Sequence, residues 1–221
     1  MCQDAVDLYK PIRDAHMIPF DEKELQKSIC FELNMLEIEE KAILKLNKKI
    51  QSVDTELDPQ RVLPSLAGIG DILAAGIRSV IGDIDRFDSI TKHRGYGGLC
   101  PCVRKSGNRE GSGLAISKMS SSRYKRYLYL AADNARKWDV EMAAFYHKCR
   151  AGGHTHIQAV CAVANGKLVP RIHCLLKRNR WAENNNQHRP CYVFKDLMGN
   201  PISKREAKAI IEAKWGNVSY N

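Results

Sequence analysis

The sequence predicts a mainly α-helical chain: a long, coiled-coil-like connector helix followed by a helical domain that contains a helix-hairpin-helix. Three observations carry this expectation. Residues 21–52 contain no Gly or Pro and place an apolar residue at every seventh position, at Ile29, Leu36, Ile43 and Ile50. Two glycines one residue apart, Gly68 and Gly70, sit between apolar runs and suit a tight hairpin. Beyond them, further helix-forming segments are separated by a Gly-rich loop. The expected organisation is a lead-in and connector over 1–60, a body over 61–180, and a tail with a short helix over 181–221.

In chain order, residues 1–20 hold Pro11 and Pro19 with no sustained period, so they read as a lead-in. The connector follows, and a helix over 21–52 would span roughly 45 Å. Leu25, Leu33 and Leu46 flank its seam, while Glu32, Glu39 and Glu40 interrupt it. The pattern leaves two readings open, packing on the chain's own domain or pairing with another chain. Residues 54–59 are polar and end in Pro59, which suits a junction. In the body, Ser120, Ser121 or Ser122 is expected to cap a helix that runs through Tyr129-Leu130-Ala131-Ala132. Residues 184–189 read as a linker and 191–194 as a short extended piece. Ser203 with Glu206 three residues later forms a capping-box signal for a last helix that runs to Trp215.

Composition bounds the function classes. With 221 residues and 44% hydrophobic residues, a real core can be built. The most apolar stretch, 63–81, is broken by Asp71 and Arg78, so no membrane partner is expected. The first ten residues lack a basic and an apolar region, so no secretory signal is expected and a cytoplasmic location is. The eight cysteines show no paired metal spacing and read as reduced thiols; His154, His156 and His173 read as polar loop residues. No metal site is expected.

Charge is divided unevenly. Residues 1–60 hold 8 Lys+Arg against 13 Asp+Glu, a net of −5, and residues 61–221 hold 27 against 12, a net of +15. Nine cations (Lys92, Arg94, Arg104, Lys105, Arg109, Lys118, Arg123, Lys125 and Arg126) stand against Glu110 alone over 92–126. A cationic, Gly- and Ser-rich stretch of this kind suits a polyanion, and DNA is the expected partner.

Three segments carry candidate chemistry. Gly68-Ile69-Gly70 opens a helix whose free amides suit a phosphate, contacts that position a duplex without reading it. Ser106-Gly107, preceded by Arg104 and Lys105 and followed by Arg109, places a hydroxyl among cations that can hold a scissile phosphate. Arg123, Lys125 and Arg126 lie in the first turns of a helix, where cations are mildly unfavourable unless an outside anion meets them. The candidate DNA-binding residues are therefore Gly68, Gly70, Arg104, Lys105, Gly107, Arg109, Lys118, Arg123, Lys125 and Arg126.

The order of these segments over about residues 63–180 resembles the C-terminal domain of transposases of the insertion-sequence 110/116/902 type, understood as RNA-guided serine recombinases. The matching positions are Gly68-Ile69-Gly70, Ile81-Gly82-Asp83-Ile84 with Phe87, Gly98-Leu99-x-Pro101, Ser106-Gly107, Ile116-Ser117-Lys118, Tyr129-Leu130-Ala131-Ala132 and Phe145-Tyr146. The resemblance implies DNA binding and strand exchange through a serine nucleophile, at Ser106. It also implies a guide RNA, and self-association or association with full-length transposase. Such enzymes carry an N-terminal RNase H-like domain whose four acids bind a divalent metal. No such domain is expected here, because the connector begins near residue 21, so Mg would be needed only with that missing domain. Ser120-Ser121, Tyr124-Lys125 and His154 depart from the family pattern, and Gly166 and Pro170 fall where a regular helix is expected. Alternatives are a catalytically inactive truncated DNA- or RNA-binding module and a helix-hairpin-helix repair-type protein.

Overall fold

The computed structural model describes residues 22–100, 105–106, 109–110, 116, 120–185 and 192–216. They are mainly helical, as the sequence predicts. The chain divides into two compact units, Met1–Ser52 and Val53–Asn221.

The first unit is carried by α1 (Glu22–Leu57), which continues past the expected end at residue 52. Leu36, Ile43 and Ile50 of the seven-residue seam are exposed, as are Phe31, Ile38, Leu44 and Leu46. The last turn of α1 belongs to the second unit and explains the extension. Asp54 and Asp58 are buried and share the Arg78 guanidinium, at 3.1 Å to Nε and 2.7 Å to Nη2. Asp58 also accepts from the Val62 amide at 2.8 Å. The acids of this polar stretch stand one helical turn apart and face one guanidinium, which fixes the end of the helix.

Residues 62–68 form overlapping turns rather than a regular first limb of a hairpin of helices. Pro64 lacks an amide, and Ser65 Oγ donates to the Val62 carbonyl at 2.6 Å. Then come α2 (Asp71–Ile81), a 3-10 turn (Ile84–Arg86) and α3 (Ile90–Gly97). A two-residue hairpin, β1 (Lys105–Ser106) with β2 (Arg109–Glu110), precedes α4 (Ser122–Ala135) and α5 (Val140–Ala151). Next is one continuous helical run: α6 (His156–Val163), a π-helical turn (Ala164–Leu168) and α7 (Val169–Asn184). The last helix is α8 (Lys204–Trp215), with the expected Ser203/Glu206 capping box.

The core collects Leu63, Leu66 and Ile69 from the turns, Ile77 and Ile81 from α2, Leu128 and Ala132 from α4, Val160 from α6, and Leu168 and Ile172. A smaller cluster joins Val140 and Ala143 of α5 to Ala207 and Ile211 of α8. His156–Arg180 is long and apolar enough to cross a membrane, but 56% of its most apolar window is buried against the other helices, as a core helix is.

Gly166 and Pro170 do not break that run. The Val169 amide reaches back five residues to the Ala164 carbonyl, the widened π step. In a regular helix a proline ring clashes with the carbonyl four residues before it, here that of Gly166, and a widened turn is one way a helix accommodates it. Two histidines expected in loops are helical instead. His173 is buried in α7, and His156 opens α6 with Nδ1 2.8 Å from the Tyr146 hydroxyl. Both fall on apolar helix faces set by their neighbours, which their own polarity does not reveal.

Candidate nucleic-acid interface

The Ser106 hairpin lies on a loop whose two ends are pinned together. The chain leaves α3 at Gly98, which is left-handed (φ 63°) and donates its amide to the Arg94 and Gly95 carbonyls at 3.2 and 3.1 Å. It returns at Ser120 and Ser121, and Ser121 Oγ caps α4 by accepting from the Tyr124 amide at 3.4 Å. A Cβ on Gly98 would overlap the Ser120 hydroxyl and lie 3.1 Å from Lys125 Cε. Glycine is therefore required there twice, for its φ and for the close approach. Ile116, near the returning end, packs on the core.

Between these ends, Lys105 pairs with Glu110 and Ser106 with Arg109 in antiparallel register. A cation thus occupies the register position opposite the candidate nucleophile. Arg104, Gly107 and Lys118 lie outside the described residues. On α4, Arg123 and Arg126 are exposed, three residues apart, and neither pairs with a carboxylate among the described residues. Lys125 is half-buried, its stem against Gly98. The exposed arginines therefore flank the point where the hairpin loop rejoins the body.

The glycines of the first segment have separate roles. Gly68 is left-handed (φ 81°), and a Cβ there would overlap the Ala131 carbonyl and come within 2.8 Å of Ala135 Cα. The backbone that approaches Gly68 is that of α4. Gly70 is exposed with open space about it and stands at the N-cap of α2. The first turn of α2 carries Asp71, which is ion-paired with Arg61.

Residues 60–147 match the family model described as the Transposase IS116/IS110/IS902 family. This stretch is similar to the transposases of that family. It takes in the Gly68 turn, the serine hairpin and α4. The chain is 25% identical over 154 residues to the insertion element IS116 uncharacterized 44.8 kDa protein of Streptomyces clavuligerus, a match covering 66% of this chain and 37% of that protein. It is 29% identical over 107 residues to the insertion element IS110 uncharacterized 43.6 kDa protein of Streptomyces coelicolor, covering 48% of this chain and 26% of that one. The matches thus span well under half the length of either relative.

Behind the candidate interface, the matched segment is braced by residues that sequence motifs did not single out. Asn165, in the π-helical turn, donates to Cys100 Sγ at 3.0 Å and accepts from Arg94 Nε at 3.4 Å. The root of the serine loop is tied in this way to a helix outside the matched residues. A π turn presents side chains off the regular helical face, and Gly166 four residues before Pro170 is the sequence signal that could have marked it. Below α4, the buried His93 holds Nε2 2.7 Å from the Tyr124 hydroxyl and stacks on Phe87 at 4.6 Å. Arg86 lies 4.7 Å over the Phe87 ring and 4.5 Å over Tyr96. Burial, the neighbouring His173 and Arg86 push the His93 imidazole down to about 4, and burial raises the Tyr124 phenol.

Divalent magnesium, implied with the family's acidic domain, takes several oxygen ligands. Among the described residues no three His, Cys, Asp or Glu side chains converge on one point. Asp133 and Asp139 are instead committed to Arg136 at 2.7 Å and to Arg171 at 2.9 Å. The described residues do not fit such an ion.

Proposed function

We propose that this chain handles DNA in insertion-sequence transposition, binding a duplex through the serine hairpin and the first turns of α4. The observation that carries this reading is the pinned loop: the close approach of Gly98 to Ser120 sets the hairpin root beside exposed Arg123 and Arg126. Cations without internal carboxylate partners are free to neutralise phosphates, and such neutralisation is independent of base sequence. The open N-cap at Gly70 is a further candidate phosphate position, weakened by the Asp71 carboxylate beside it.

Ser106 is the proposed nucleophile. Its hydroxyl oxygen would attack phosphorus and displace a strand oxygen, which leaves as a hydroxyl once protonated, while the serine proton passes to a base. The cations at Arg104, Lys105 and Arg109 stabilise the charge that builds on the phosphate. The base belongs to a partner domain, so the chain alone binds DNA without cutting it efficiently. A guide RNA is proposed on the family resemblance alone. Self-association is proposed through the exposed Leu36, Ile43 and Ile50 seam of α1.

The test is fluorescence anisotropy with a labelled duplex of arbitrary sequence across a salt series. If Z phosphates are held, log K falls with log salt at a slope of about −0.9Z. Arg123→Glu/Arg126→Glu should weaken binding and flatten that slope by roughly 0.9 for each phosphate that is no longer neutralised. Binding that ignores both salt and the double substitution would remove the proposal.

A further inference from the structure

We infer that the chain holds a second nucleic-acid site, for a single strand, in a cleft between Trp138 and the first turns of α8. This inference goes beyond the duplex-binding reading and does not rest on it. The cleft has a volume of about 470 Å³ and is lined by Trp138, Lys204, Arg205, Lys208, Ala209 and Glu212. That is the size range of small-ligand pockets, and room enough for one nucleotide.

The walls are firmly built. Trp138 stands on the turn between α4 and α5, its amide donating to the Ala135 carbonyl at 3.0 Å. Opposite it, α8 is clamped onto α5 through the buried Val140, Ala143, Ala207 and Ile211. The start of α8 is fixed by its capping box, in which the Ser203 amide donates to Glu206 at 2.7 Å. That bond occupies the Glu206 carboxylate at the helix start.

The charges left over favour an anion with a flat ring attached. Lys204 and Lys208 sit one turn apart and place their ammonium groups 4.8 and 5.0 Å from the Trp138 ring centre. Lys208 shares Glu212 at 3.5 Å, an exposed pair of little worth. Lys204 and Arg205 pair with no carboxylate among the described residues. An ammonium held on an indole face is attracted more strongly by a phosphate than by the ring, since the ring attraction is weak at exposed sites. A phosphate entering the cleft would draw the lysines outward and uncover the indole for the attached base. Stacking of a base on an aromatic ring, with cations along the backbone, is how single strands are held without sequence preference. A duplex keeps its base faces inside the stack, and an acidic peptide offers no ring of that kind.

The experiment titrates the full chain into a fluorescein-labelled oligothymidylate and, separately, into a labelled duplex hairpin. Trp138→Leu should weaken oligothymidylate binding about tenfold, the range expected when one base stack is removed, and leave duplex binding within about twofold. Lys204→Glu/Arg205→Glu, two surface changes that leave the α8 clamp intact, should do the same. Trp138→Phe should keep most of the affinity. Arg123→Glu/Arg126→Glu should show the reverse pattern, weakening the duplex and sparing the single strand. Unchanged oligothymidylate binding in Lys204→Glu/Arg205→Glu would overturn the inference. So would equal losses for both nucleic acids, or competition by a polyglutamate peptide as strong as that by unlabelled oligothymidylate.

Discussion

His93 shows how a single buried group shapes the candidate interface. It is fully buried against Phe87, Tyr124 and His173 with the Arg86 guanidinium near, and its Nδ1 has no partner among the described residues. The folded protein therefore resists protonation until about pH 4, whereas an unfolded histidine takes its proton near 6.5. Between those values the unfolded chain binds the extra proton, so stability is complete above about pH 6.5 and falls as the pH drops towards 4. The loss attributable to this group approaches about 3 kcal/mol at the lower end, at 1.36 kcal/mol for each pH unit. His93→Gln can still donate to Tyr124 but does not titrate. Denaturant midpoints measured from pH 7 to 4.5 should fall steeply in the parent and less steeply in this variant. Parallel slopes would show that His93 is not the group responsible. The sequence did not disclose this histidine, because a His in Lys92-His93-Arg94 reads as part of a charged face. Gly68 was legible as a turn, but which backbone approached it was not. That backbone is α4, more than sixty residues later, and only packing reveals such a pair.

At the scale of elements, periodicity was the reliable guide. Connector α1, the cap of α4 at Ser121 and the capping box of α8 all stand where local signals placed them, because each depends on neighbours within one turn. The failures share one cause. The pairing of Asp54 and Asp58 with Arg78 and the close approach of α4 to Gly68 are decided by partners distant in sequence. The α1 seam illustrates the limit and yields a prediction. Leu36 is 55% and Ile43 54% exposed, so the seven-residue stripe identified in the sequence remains uncovered. An apolar stripe repeating every seven positions can bury itself by pairing with another helix. Sedimentation should show self-association at micromolar concentration in the parent, and a monomer in Leu36→Lys/Ile43→Lys with helix content retained. A parent that stays monomeric at high micromolar concentration would rule the seam out as a dimer interface.

Across the whole molecule, net charge overstates what is available to the proposed DNA partner. Of the cations in the basic body, Arg78, Arg136, Arg171, Lys167 and Lys177 are committed to acids within it. Among the described residues, exposed cations without such partners include Arg123 and Arg126 of α4 and Lys204 and Arg205 of α8, alongside others such as Lys148, Arg178 and Lys195. The sequence could count charges but could not see this sorting. It bears directly on Ser106, because cations stabilise a phosphate under attack but do not take the proton from a neutral hydroxyl. The acids of the described body are largely held in ion pairs, and none gathers as a metal-binding group. The chain by itself should therefore bind target DNA and form little or no covalent product. Incubation with target DNA and magnesium, with and without a related acidic domain, followed by denaturing electrophoresis, separates the cases. A protein–DNA adduct should form only with the added domain and should vanish in Ser106→Ala while duplex affinity persists. An adduct from the chain alone, absent in Ser106→Ala, would place the base within this chain. Binding without an adduct under either condition would leave it a DNA-holding module whose hairpin serine is not a nucleophile.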